Sequence, residues 1–159
     1  TADVARCTFS MNHYMFRALE MSNRYDALAD RLMDGWRQMM DLHCTSWCET
    51  PGNCRSECHG WSSAPLYELS AMYLGIQPET PGFASVIIRP HRNGLRFAKG
   101  TVPTPQGPIH VEWTVEKDTL TLDATLPVGV SATVLLPDHA PFRTKDHRLH
   151  IVSHLTTQK

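Results

Sequence analysis

The residue types able to do chemistry crowd into one stretch, His43 to Trp61. It holds Cys44, Trp47, Cys48, Glu49, Cys54, Glu57, Cys58, His59 and Trp61. Three readings compete for it. The cysteines run C-x3-C-x5-C-x3-C, with His43 and His59 alongside, and thiolates with imidazoles are zinc ligands. Zinc sites usually separate two close cysteine pairs by a longer spacer, so this one would strain two chelating turns onto one ion. A zinc-stabilised interaction module therefore ranks last. The second reading is packing: cysteine is among the residues most often buried, and these side chains can seat a loop on a helical core. The third is a sugar site, which wants carboxylates for proton transfer, tryptophan faces for stacking and polar groups such as histidine for hydroxyls. Glu49 follows Trp47 and His59 precedes Trp61 in the same loop, although a single loop glutamate is usually a solvated surface group.

These residues need elements to hold them. Phe9, Tyr14, Phe16 and Leu19 give helical spacing over about Thr8 to Met21, and Ser22-Asn23-Arg24 reads as a turn. Asn23 can cap a second helix, with Asp26 in its first turn. That helix is expected from Tyr25 to Leu42, with an apolar stripe of Leu28, Leu32, Trp36 and Met39. So short a turn makes the two helices antiparallel neighbours. A loop of about 18 residues follows, His43 to Gly60, with Pro51-Gly52-Asn53 at its centre. Loops of that length in compact domains are usually functional or disordered. A third helix starts near Ser62, with Pro65 in its first turn, and ends at Gly75 and Pro78.

The chain changes character near Pro78. All seven methionines and all five cysteines lie before it, and most of the prolines lie after it. Val86-Ile87-Ile88 is a short buried-type run. Ile109, Val111, Trp113 and Val115 alternate with polar residues, as do Leu120, Leu122, Ala124 and Leu126. Lys117-Asp118 between those runs predicts a hairpin. Val130 to Leu136 is one more strand, and the tail after His139 is polar and weakly patterned. Short strands with Pro and Gly turns predict a small antiparallel β-sandwich.

Composition narrows the function classes. The 159 residues carry 15 Lys plus Arg and 16 Asp plus Glu, a formal charge of −1, which supports neither a nucleic-acid nor an anionic-membrane footprint. At 42% hydrophobic and 19% charged, the chain reads as globular. No apolar run reaches the ~20 residues of a spanning helix. The first six residues have no signal-peptide core and the chain lacks an initiator methionine, so it reads as a processed chain or a piece of a longer one. The odd, clustered cysteines point to free thiols in a reducing compartment such as the cytoplasm.

Several segments in order carry a resemblance. Cys58-His59-Gly60-Trp61-Ser62-Ser63-Ala64-Pro65, Leu74-Gly75-Ile76, Pro81-Gly82-Phe83, Ile88-Arg89-Pro90 and the run from Ala98 to Ile109 resemble consecutive motifs of the bacterial α-L-rhamnosidases of glycoside hydrolase family 78. The resemblance covers about Phe9 to Pro137. It implies an α+β chain in two parts: residues 1–78 as the last helices of a catalytic (α/α)6 barrel and 79–140 as the C-terminal β-sandwich, with 141–159 a polar tail. It implies an inverting hydrolase acting on a rhamnose-containing glycoside or oligosaccharide, without cofactor or metal. Thr45-Ser46-Trp47-Cys48-Glu49 resembles the family's Thr-Thr-x-Trp-Glu segment, whose glutamate is the general base, so Glu49 is the expected base. His59 matches the histidine that contacts rhamnose, and Trp47 and Trp61 are expected walls of the sugar pocket. Where the family often has an aromatic just before the glutamate, this chain has Cys48.

In the family, the general acid and most sugar-binding residues come from earlier barrel helices. The remainder of the barrel is therefore the expected partner, and this chain alone is expected to be inactive. Asp3, Glu57 and Glu68 are carboxylic acids with nothing to place them opposite Glu49, and read as solvated or structural. The alternative is a non-catalytic carbohydrate-binding or structural fragment.

Overall fold

The computed structural model describes residues 7–50 and 56–155. Two compact units divide between Glu68 and Leu69. Among the described residues no helix is long and apolar enough to cross a membrane.

The first unit is helical: α1 (Phe9–Met21), α2 (Tyr25–Leu32), α3 (Asp34–Asp41) and α4 (Ala64–Glu68). The single helix expected over 25–42 breaks at Met33, where Met33 N–H bonds Asp30 O and Trp36 N–H bonds Met33 O, both three residues back. Gly35 follows the break, and a β-carbon there would stand 2.6 Å from the Phe9 ring. Arg37 clasps both sides of the break through Asp30 and Asp34. The buried stripe consequently shifts from the expected one. Tyr25, Ala29, Trp36 and Met39 are buried, whereas Leu28 and Leu32 are only partly so. Phe9 and Phe16 lie against Trp36 at centroid distances of 4.8 and 6.1 Å, which makes an aromatic core.

One charged group sits inside this core. Glu68 is 0% exposed. Its carboxylate takes both oxygens' bonds from Arg17 Nη2 at 2.6 and 2.7 Å, and a third from the Tyr25 hydroxyl at 2.7 Å. Burial pushes its pKa up, while Tyr25 and Arg17 pull it back. Glu68 is thus a structural anchor between α1, α2 and α4.

The second unit opens with a π-helical turn, Leu69–Tyr73, where a continued α-helix was expected. It then forms β1 (Ile76–Pro78), β2 (Ser85–Ile88), β3 (Phe97–Val102), β4 (Ile109–Glu116), β5 (Thr119–Thr125), β6 (Ser131–Val134), β7 (Phe142–Thr144) and β8 (Arg148–His154). Two four-stranded sheets result, β1-β2-β6-β7 and β3-β4-β5-β8. All pairs are antiparallel except β2 with β6, which is parallel. The expected hairpin turns at Lys117-Asp118, with Glu116 opposite Thr119. Trp113, Ile109, Leu120, Leu122, Val86 and Ile88 are all 0% exposed and form the core of the sandwich.

Residues 142–154 correct the expected polar tail. They build β7 and β8, and β8 completes the second sheet. Its inward Leu149, Ile151 and Ser153 alternate with Arg148, His150, Val152 and His154, and the serine inside with the valine outside hid the period. The change of architecture also comes earlier than the composition shift at Pro78. Leu74 and Ile76 belong to the sandwich core and β1 pairs with β2. Gly75 makes that joint possible. At φ +89° its missing β-carbon would meet Pro90 N at 2.3 Å.

Candidate functional site

The site is built on the first unit by the chain on either side of Pro51-Gly52-Asn53, which lies outside the described residues, as do Cys54 and Asp3. Two backbone bonds clip the flanks together: Glu49 N–H to Ser56 O at 3.0 Å and His59 N–H to Trp47 O at 3.1 Å. Residues ten apart in sequence thereby face each other. Glu49 Oε1 lies 4.0 Å from His59 Nε2, and the two side chains keep 23% and 19% of their exposure. That is the half-open state a group needs if it is to meet both protein and ligand.

Trp61 stands beside them. Its ring packs on His59 at 4.5 Å between centroids and is 55% exposed. An exposed indole next to an acid and an imidazole can stack on the apolar face of a sugar ring. Trp47 is only partly exposed, and its carbonyl, which receives the His59 N–H, helps hold the flanks together. His59 Nδ1 is buried and has no hydrogen-bond partner among the described residues.

The supports below the site come from α3 and the short 3-10 turn Gly60–Ser62. Ser62 Oγ donates to Cys48 O at 2.6 Å, and Trp36 Nε1 donates to Ser62 O at 2.7 Å. Glu57, exposed, accepts from Thr45 N–H and Oγ1 at 3.2 and 3.4 Å. Glu68 is engaged by Arg17 and Tyr25, so both acids hold structural contacts of their own.

The cysteine reading needs correction. Cys48 is disulfide-bonded, while Cys7, Cys44 and Cys58 keep their thiols. An odd number of clustered cysteines argues against a framework of bridges, but not against a single bridge. The bond also removes Cys48 as a thiolate, and with it the four-cysteine zinc set. Among the described residues no group of three or more His, Cys, Asp or Glu is placed to hold a metal. Packing fits Cys48, which is 0% exposed, but not Cys7 or Cys58, which are exposed. Cys44 Sγ lies 3.4 Å from Cys48 Sγ. Burial and the Glu57 carboxylate push its thiol pKa up, away from the reactive thiolate.

A separate groove of about 530 Å³ lies on the outer face of β3-β4-β5-β8. Four of its lining groups pair across strands, Lys99 with Glu112 and His150 with Asp123, each at 2.7 Å. The alternation along these strands shows which side chains face out, but not that they border a concavity.

Comparison with known proteins agrees with this architecture. Residues 75–149 match the bacterial alpha-L-rhamnosidase C-terminal domain. Over 67 residues the chain is 42% identical to an alpha-L-rhamnosidase of Alteromonas sp. (strain LOR), covering 42% of this chain and 7% of that protein. It is similar to the glycoside hydrolase family 78 rhamnosidase structure of Bacillus sp. GL1, at 30% identity and a TM-score of 0.74, over 82% of this chain and 15% of that one. The Streptomyces avermitilis alpha-L-rhamnosidase, solved with L-rhamnose, shares the fold at 20% identity and a TM-score of 0.75, over 92% of this chain and 17% of that one. The chain therefore spans a small fraction of the length of these relatives.

Proposed function

The chain is similar to the C-terminal part of the α-L-rhamnosidases of glycoside hydrolase family 78, and from that premise we propose that it is the closing portion of a hydrolase that releases terminal α-L-rhamnose from glycosides or oligosaccharides. In this reading the first unit, up to Glu68, contributes the last helices of the catalytic barrel and the second unit, from Leu69, is the C-terminal sandwich. Glu49 is the general base of an inverting reaction. A carboxylic acid from the remainder of the barrel protonates the leaving oxygen. Glu49 takes a proton from a water on the opposite face of the sugar ring, and the two carboxyl groups stand about 6.5–9.5 Å apart to admit that water. His59 binds rhamnose hydroxyls through the edge of its ring, and Trp61 and Trp47 wall the pocket.

The observation that carries the reading is the meeting of Glu49 and His59 at 4.0 Å, with the exposed Trp61 ring against His59. The exposed side chains Tyr14, Met15, Met40, Leu66 and Tyr67 of the first unit are apolar surface for the rest of the barrel to cover. The experiment is hydrolysis of an aryl α-L-rhamnoside by the whole hydrolase. Glu49→Gln is expected to lower kcat by about 10²–10⁴-fold with the fold intact. Near-normal turnover would refute the base assignment. His59→Ala is expected to raise KM, and unchanged kinetics would remove it from the site. A whole protein that binds rhamnosides without turning them over would favour the non-catalytic fragment instead.

A further inference from the structure

Ser62 belongs to the segment Cys58–Pro65 that carries the resemblance, yet it has no part in the chemistry above. Its surroundings give it one. It is 0% exposed. Its hydroxyl donates to Cys48 O at 2.6 Å, and its own N–H donates to His59 O at 3.0 Å. It therefore grips both flanks of the site at once. The Cys48 carbonyl and the Glu49 N–H are the two ends of one peptide group, which is planar and rigid. Ser62 holds the oxygen end, and Ser56 O accepts from the nitrogen end at 3.0 Å. With both ends tied, the peptide plane leading into the Glu49 Cα is fixed, and rotation about N–Cα and the side-chain torsions alone remain to aim the carboxylate. Ser62 is itself seated by Trp36 on α3, whose Nε1 donates to Ser62 O at 2.7 Å.

We propose that Ser62 is the positioning residue of this site: through the Cys48–Glu49 peptide and the His59 carbonyl it sets the spacing between the base and the sugar-binding histidine. The proposal rests on the reading of Glu49 as general base. It acts through Glu49 and touches no substrate. A displacement of order 1 Å in a catalytic group costs up to about 10²-fold in rate, whereas substrate affinity depends on many other contacts.

The test is steady-state hydrolysis of an aryl α-L-rhamnoside by the whole hydrolase with Ser62→Ala, Ser62→Thr, Trp36→Phe and Glu49→Gln. Ser62→Ala is expected to lower kcat about 10- to 100-fold while KM changes less than about threefold. Ser62→Thr, which keeps the hydroxyl, is expected to restore most of the rate. Trp36→Phe keeps the ring and removes only the donor to Ser62, so a smaller loss in kcat at constant KM is expected. It serves as the deciding variant if Ser62→Ala does not fold, and unchanged kcat in a folded Trp36→Phe would then overturn the proposal. An inactive Glu49→Gln beside a fully active Ser62→Ala would overturn it and leave the base assignment standing. An active Glu49→Gln would overturn both.

Discussion

Removing the Glu68 carboxylate is the perturbation that most directly tests how the helical unit is held. Glu68→Ala removes the bond that the Tyr25 hydroxyl, on a residue 1% exposed, donates to the carboxylate, and strips Arg17 of a two-oxygen contact at 2.6 and 2.7 Å. Breaking a buried pair costs about 3–5 kcal/mol. The Arg17 side chain keeps 24% of its exposure and is also bonded to Glu20 at 2.7 Å, so water and Glu20 recover part of that. A loss of about 2–4 kcal/mol is expected. Glu68→Gln keeps an acceptor for one donor and is expected to cost about half as much. The sign of the pH dependence follows from burial, the largest influence on this group, which raises its pKa in the folded state. The folded chain then binds the proton more tightly than the unfolded chain. The contribution of Glu68 is full below the ordinary carboxylate value and is lost as pH rises through the raised folded value. The assay is the unfolding free energy in urea against pH, wild type minus Glu68→Gln, with amide exchange of α1 and α2 reporting this unit alone. A difference that rises with pH in that window would mean that Arg17 and Tyr25 outweigh burial. A loss below about 1 kcal/mol for Glu68→Ala would mean that the cluster contributes little.

Gly75→Ala should destabilise the sandwich by about 3 kcal/mol or more, since the left-handed backbone is strained for alanine and the new methyl meets backbone atoms of Arg89 and Pro90 at 2.3–2.6 Å, which cannot yield as a side chain would. An unchanged urea midpoint would refute this. Trp113→Phe should cost about 2–4 kcal/mol, because it removes the Trp113 Nε1 hydrogen bond to Tyr73 O at 3.0 Å and leaves a void in a fully buried site. Differential scanning calorimetry checks it, and no shift in Tm would show that the core relaxes into the space.

The second unit was more legible than the first, because β4 and β5 bury one face and wet the other. Ile109, Val111, Trp113 and Val115 point inward in strict alternation, and a two-residue turn sets their register. β7 and β8 escaped because one is three residues long and the other buries Ser153 while exposing Val152, which blurs the alternation. In the first unit helical spacing located the helices but not the break at Met33, which follows from Phe9 packing where Gly35 has no side chain. The π-turn at Leu69–Tyr73 has no local signature in the residues.

The candidate site divides in the same way. Which residues to watch, Glu49, His59, Trp47 and Trp61, was determined by residue type and motif order alone, since chemistry resides in side chains that are written in the chain. That Glu49 and His59 stand 4.0 Å apart, that Trp61 rather than Trp47 packs on the imidazole, that Cys48 is bridged and that Ser62 holds both flanks was decided only in three dimensions. The physical reason is that these relations run through backbone hydrogen bonds between segments that are not adjacent in the chain. Such bonds use the N–H and C=O that nearly every residue carries, so the letters of the sequence do not mark which ones meet.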